Sequence, residues 1–148
     1  MATTGDTTST TMSTTAVIPV LVYEDIQAAH DFLVETFGLT SGGLHRLDDG
    51  TVVHAEVRNG DAAIWLHKVT AEHGMASPRG AAMSHGGLEV VVPDVDAHYA
   101  RAKAAGARID SLPTDQDYGL REYGARDPEN HRWFFSSPLS RRAPEGPA

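Results

Sequence analysis

The side chains of this 148-residue chain that could do chemistry fall mainly on two stretches. In residues 51–67, His54 and Glu56 lie two apart, Trp65 and His67 lie two apart, and Asn59-Gly60 stands between the pairs. In residues 118–135, Arg121 and Tyr123 precede Asp127-Pro128-Glu129-Asn130, and Arg132 and Phe134 follow it. Glu89 sits in an apolar run between the two stretches. A histidine near a carboxylate can be tuned toward neutral pH, so His54 with Glu56 is a candidate acid–base pair, and Tyr123 is another candidate. Trp65 and Phe134 offer ring faces that bury roughly 150–250 Å² each. Glu56 and Glu89 suit a cation, and Arg121 and Arg132 suit a carboxylate or phenolate. The chain has no cysteine, which excludes a thiol nucleophile, thiolate metal ligands and disulfides. Ser84-His85-Gly86 lacks the pattern of a nucleophile elbow.

These residues need strands to hold them. Asn59-Gly60 between two alternating runs is a strong hairpin signal. A two-residue turn there sets Arg58 opposite Asp61, Glu56 opposite Ala63, His54 opposite Trp65 and Val52 opposite His67, all on one face. The other face, Val53, Ala55, Val57, Ala62, Ile64 and Leu66, is apolar and belongs under a helix. The first face reads as the lining of a ligand cleft; the plainer alternative is a solvent face with one exposed tryptophan. Asp before Pro, and Asn at a position open to left-handed φ, make a second hairpin around residues 127–130. Its corresponding face carries Arg121, Tyr123, Arg132 and Phe134, while Trp133 can equally be core.

The remaining elements repeat in order. Residues 17–23 form a strand, Asp25 caps a helix that carries Ile26, Ala29, Phe32, Leu33 and Phe37 to Gly38, and residues 44–47 form a short strand closed by Asp48-Asp49-Gly50. Residues 88–92, a helix capped by Asp94 and ending at Gly106, and a strand at 108–112 repeat that order. Asp25 and Asp94 are 69 residues apart, and so are Trp65 and Phe134. One offset for both caps and hairpins indicates duplication. The expected fold is α+β: two tandem βαβββ modules forming a curved mixed sheet around a cleft, with helices outside. The boundaries are a disordered tail at 1–15, modules at 16–67 and 87–138, a linker at 68–86 and a loose tail at 139–148.

Composition limits the partners. The chain is 41% hydrophobic with net charge −8 and no basic stripe, so nucleic acid is not an expected partner. No apolar run approaches a membrane span. The first fifteen residues lack a charged n-region and an apolar h-region, so they do not read as a secretory signal. A cytoplasmic protein fits this composition.

Several segments together resemble the vicinal oxygen chelate superfamily, which includes glyoxalase I, extradiol dioxygenases, and bleomycin and fosfomycin resistance proteins. They are Ile18-Pro-Val-Leu-Val-Tyr-Glu-Asp25, Val91-Val-Pro-Asp-Val-Asp-Ala-His98, Ala104-Ala-Gly-Ala107, Asp117-Tyr-Gly-Leu-Arg-Glu-Tyr123 and Asp127-Pro-Glu-Asn-His-Arg-Trp133. Asn130 stands where the family's ending usually has Gly. The resemblance covers residues 17–138 and points to the glyoxalase-like, bleomycin-resistance-like branch. It implies a homodimer with shared clefts. It also implies that metal-using members would hold their ion at the positions of Ile18, Trp65, Gly87 and Phe134, none of which can bind one. The expectation is therefore no metal and no cofactor. The site residues are His54, Glu56, Trp65, His67, Glu89, Arg121, Tyr123 and Phe134, around a small-molecule ligand. A displaced metal site built from His54, Glu56, His67 and Glu89, or one that draws in His85, is the competing possibility. The functional expectation is a metal-independent protein that sequesters an aromatic or amphipathic metabolite or antibiotic. The alternative is a metal-free lyase, isomerase or cyclase using His54/Glu56 or Tyr123; a metal-dependent glyoxalase or dioxygenase is a third reading.

Overall fold

The computed structural model describes residues 15–140. The expected tails at 1–15 and 139–148 fall almost wholly outside these. The element order is β1 (Val20–Tyr23), α1 (Ile26–Glu35), β2 (Thr40–Arg46), β3 (Val52–Asn59) and β4 (Ala62–Lys68), then β5 (Gly87–Val91), α2 (Val95–Ala104), β6 (Arg108–Asp115), β7 (Leu120–Arg126) and β8 (Arg132–Pro138). The strands form two four-stranded mixed sheets, ordered β1-β4-β3-β2 and β5-β8-β7-β6. In each sheet one edge pair, β1/β4 or β5/β8, is parallel, and the other pairs are antiparallel. This is the duplicated α+β arrangement. The repeat reaches the level of register, because Val20 pairs with Trp65 and Glu89 pairs with Phe134, both members shifted by 69 residues.

Both helices start at the expected caps. Asp25 accepts from the Ala28 amide and Asp94 from the Ala97 amide, each at 3.0 Å, which satisfies one of the orphan donors of each first turn. Helix α2 ends in a Schellman arrangement: the amide of Gly106 (φ 86°) bonds Lys103 and that of Ala107 bonds Ala102. Helix α1 lies against β2, β3 and β4, and α2 against β6, β7 and β8. Each therefore covers the apolar face of its sheet. Ala55, Val57, Ile64 and Leu66 are buried beneath α1, whereas Ala62, at the hairpin end, is exposed.

The two modules share one core. Phe37, just past α1, packs on Phe135 and Trp133 of β8 with ring centroids 4.8 and 5.6 Å away. Tyr23 donates to Asp127 at 2.5 Å, and the buried carboxylate of Glu129 accepts from the amides of Glu24 and Asp25. The segment joining the modules is not featureless. It holds a single 3₁₀ turn (Ala71–His73), and Ser77 and Arg79 bind Glu129. No helix among the described residues is long and apolar enough to cross a membrane.

Candidate functional site

The first hairpin turns one residue later than expected. Asn59 pairs with Ala62, so Gly60 and Asp61 form the turn, and Gly60 supplies the positive φ (58°) at its first position. The partners therefore change by two: His54 lies opposite His67, and Glu56 opposite Trp65. A two-residue change leaves the facing intact, so these four side chains still share the face away from α1. Trp65 is 38% exposed there, and its Nε1 donates to Glu56 Oε2 at 2.9 Å. Arg58 Nε donates to Glu56 Oε1 at 2.6 Å. The Trp65 bond first, then the Arg58 bond, hold the Glu56 carboxyl below its usual range. The His54 ring stands edge-on to the indole at 5.5 Å. Gly42 leaves room for this: a Cβ there would come within 2.8 Å of Glu56 Cβ. His67 turns toward the linking segment, with Nε2 3.3 Å from His73 Nδ1, and His73 in turn meets the Thr70 hydroxyl.

The second hairpin corrects two assignments. Its loop has five residues, 127–131, with Arg126 paired to Arg132. That odd count puts Tyr123 opposite Phe135 and Gly124 opposite Phe134. Tyr123 is fully buried under α2, where its hydroxyl donates to His98 Nδ1 at 2.6 Å, so it is a core residue and not a member of the open face. The Tyr123 hydroxyl is pushed well above its ordinary range, by burial first. Arg121 shares that side and pairs with Asp96 of α2 and with Asp115. The open face instead carries Glu122, which the sequence reading missed because it counted the loop one residue short.

Around Phe134 this face is well defined. The ring lies over two glycines: a Cβ at Gly87 would be 3.1 Å from Phe134 Cε2, and one at Gly124 would be 3.6 Å from Cε1. Glu89 flanks it on β5, and the Arg132 guanidinium sits 5.4 Å from the ring centre. Arg132 and Arg126 both reach Asp110. Trp133 faces the core, fully buried, with its Nε1 bonded to Asp127. The structure thus gathers His54, Glu56, Trp65 and His67 on one sheet and Glu89 with Phe134 on the other.

A cavity of about 660 Å³ lies between β1, β5 and the linking segment, lined among others by Val20, Val22, Met83, His85, Gly87 and Arg132. None of the eight expected site residues lines it. The residues present do not fit the metal that the family resemblance implies. Trp65 and Phe134 offer rings, Ile18 and Gly87 offer no ligand side chain, and the Phe134 ring lies beside Gly87. Among the described residues, no three His, Asp or Glu side chains are placed to share an ion.

The sequence pattern of the Glyoxalase/Bleomycin resistance protein/Dioxygenase superfamily matches residues 14–135. An uncharacterized protein of Mycobacterium bovis is 32% identical over 127 residues, 84% of each chain. The crystal structure of TioX from Micromonospora sp. ML1 is 33% identical, covers 82% of this chain and 97% of its own, and superposes with a TM-score of 0.65. That of TnmS3, an antibiotic binding protein from Streptomyces sp. CB03234, is 24% identical, covers 86% and 98%, and has a TM-score of 0.63.

Proposed function

Since the chain belongs to the Glyoxalase/Bleomycin resistance protein/Dioxygenase superfamily, we propose that it is a metal-independent small-molecule-binding protein that sequesters a flat aromatic or amphipathic metabolite or antibiotic. The observation that carries this reading is Trp65. Its indole is kept out of the core, 38% exposed and anchored through Nε1 by Glu56, at a position where, by the family resemblance, metal-using members would hold an ion. An anchored, half-exposed ring is a stacking platform. Phe134, at the equivalent place in the second module, packs over Gly87 and Gly124 beside the Arg132 guanidinium. The antibiotic binding described for the structurally similar TnmS3 supports the same class of ligand. In this reading the protein works in the cytoplasm as a homodimer that brings open sheet faces together; sedimentation as a monomer at ligand-binding concentrations would remove that part.

The test is a screen of planar antibiotics and metabolites against tryptophan fluorescence, repeated on Trp65→Ala. The variant should fold normally and bind about tenfold more weakly. Unchanged affinity across all binders would take Trp65 out of the site. Elemental analysis and calorimetry with Ni²⁺, Zn²⁺, Fe²⁺ and Mn²⁺ test the metal-free part, which near-stoichiometric metal would overturn. The enzymatic alternative, a lyase, isomerase or cyclase, loses Tyr123 to the core and keeps His54 as its acid–base group. Turnover of a bound compound that disappears in His54→Ala would favour it.

A further inference from the structure

The cavity between β1, β5 and the linking segment has a chemistry of its own. Its volume of about 660 Å³ lies within the range of small-molecule pockets, roughly 300–1,000 Å³. Val20, Val22 and Leu88 give it aliphatic walls, and the linking segment adds Met75 and Met83, whose unbranched side chains adapt to a guest's shape. Among the described residues its lining holds no Phe, Tyr or Trp, so it has no stacking platform of the Trp65 kind. The linking segment is fastened over this space. Asn130 Nδ2 donates to the carbonyls of Pro78 at 3.3 Å and Ala81 at 2.6 Å, both lining residues, and the Ser77 hydroxyl donates to Glu129 at 2.6 Å. Polar bonds to the 127–131 loop thus build the enclosure into the fold.

A second, independent feature meets the cavity at Arg132, which is one of its lining residues. Arg132 and Arg126 share the single carboxylate of Asp110, at 3.2 and 2.9 Å, and Arg126 and Arg108 both donate to Asn130 Oδ1. Three guanidiniums therefore gather around one acid. The acids of the adjoining loop are engaged elsewhere, Asp127 by Tyr23 and Trp133, and Glu129 by Arg79 and two amides. Partly buried cations in local excess are stabilised by an added anion. Arg132 meets Asp110 through Nε, and among the described residues its two terminal nitrogens form no hydrogen bond. The Phe134 ring supports the guanidinium 5.4 Å from its centre, a contact that uses the face of the group and leaves its in-plane N–H donors for a carboxylate.

We propose that this cavity binds an aliphatic carboxylic acid, its chain between Val20, Val22, Leu88 and the two methionines and its carboxylate on the terminal nitrogens of Arg132. The site is separate from the Trp65 face and goes beyond the reading given for that face. The test is calorimetry with octanoate, octanol and octylamine, each below the concentration at which it aggregates. The wild-type protein should bind octanoate about tenfold more tightly than octylamine. Arg132→Gln, in which Asp110 keeps Arg126, should lose about tenfold for octanoate and leave octanol unchanged, with Arg132→Lys in between. Val20 is 42% exposed and lines the cavity, so Val20→Phe should fold, fill the space and weaken both octanoate and octanol. Trp65→Ala should leave octanoate binding as it is. No binding of octanoate, equal affinity for octanoate and octylamine, or octanoate binding untouched by Arg132→Gln or by Val20→Phe would each overturn the proposal. Octanoate binding that falls in Trp65→Ala and not in Val20→Phe would also overturn it, and would place the acid on the Trp65 face.

Discussion

Glu129 shows how one side chain can hold several segments. Burial alone would raise its carboxyl, but the amide of Glu24, the hydroxyl of Ser77, the amide of Asp25 and the charge of Arg79 together bring it below the usual range. Because the folded value is depressed, its contribution to stability is complete above the unfolded value of about 4.3 and fades as pH falls through the folded one. Glu129→Gln should therefore lower stability at pH 7 by about 2 kcal/mol. It should also flatten the acid side of the stability profile, measured by urea melts from neutral pH downward; equal acid slopes in the two proteins would remove Glu129 from that role. Single residues were unevenly legible. His54, Glu56 and Trp65 could be placed from parity alone, since even a two-residue error in register kept them on one face. Arg121 and Tyr123 could not, because His131 is an extra loop residue whose presence the local sequence does not declare.

At the scale of elements, the 127–131 loop owes its shape to Asp127. Its Oδ1 accepts from the amides of Glu129 and His131, and its Oδ2 accepts from Tyr23 and from Trp133 Nε1. Asn130 completes the loop with a φ of 76°, the left-handed geometry its residue type tolerates. It bonds the carbonyls of Pro78 and Ala81, tying the linking segment down. In Asp127→Asn the new amide group would face the Trp133 N–H, donor against donor, and leave a buried indole unpaired. We expect a loss of about 2–3 kcal/mol in chemical denaturation, and a loss under 0.5 kcal/mol would mean the loop holds without it. The helices were legible because Asp caps and Gly stops act within a few residues. Strand ends were less so: β2 begins at Thr40 and β6 runs on to Asp115, both beyond the apolar runs that mark them, because backbone pairing with β3 and β7 extends past the side-chain pattern.

Across the whole molecule, the modules are joined through side chains that neither pattern alone reveals. His98 of α2 donates from Nε2 to the carbonyl of Phe37 and accepts from Tyr123 at Nδ1, so it links the end of α1 to β7. Burial keeps its imidazole below the ordinary histidine range. Phe37 sits at the centre of this contact, and Phe37→Ala should cost about 3–5 kcal/mol. Wild-type unfolding should be a single transition, with Trp133 fluorescence and far-UV circular dichroism changing together. Separate transitions would mean that the modules are independent folding units. The loop lengths of the two hairpins have a further consequence in the currency of inheritance. An insertion that shifted the β3/β4 register by one residue would send Trp65 into the core and Leu66 out of it, whereas a shift of two would preserve both. The second hairpin has a five-residue loop where the first has two, an odd difference, and its register places Tyr123 inside and Glu122 on the open face. Two halves of one topology thus present unlike surfaces through a difference in hairpin register.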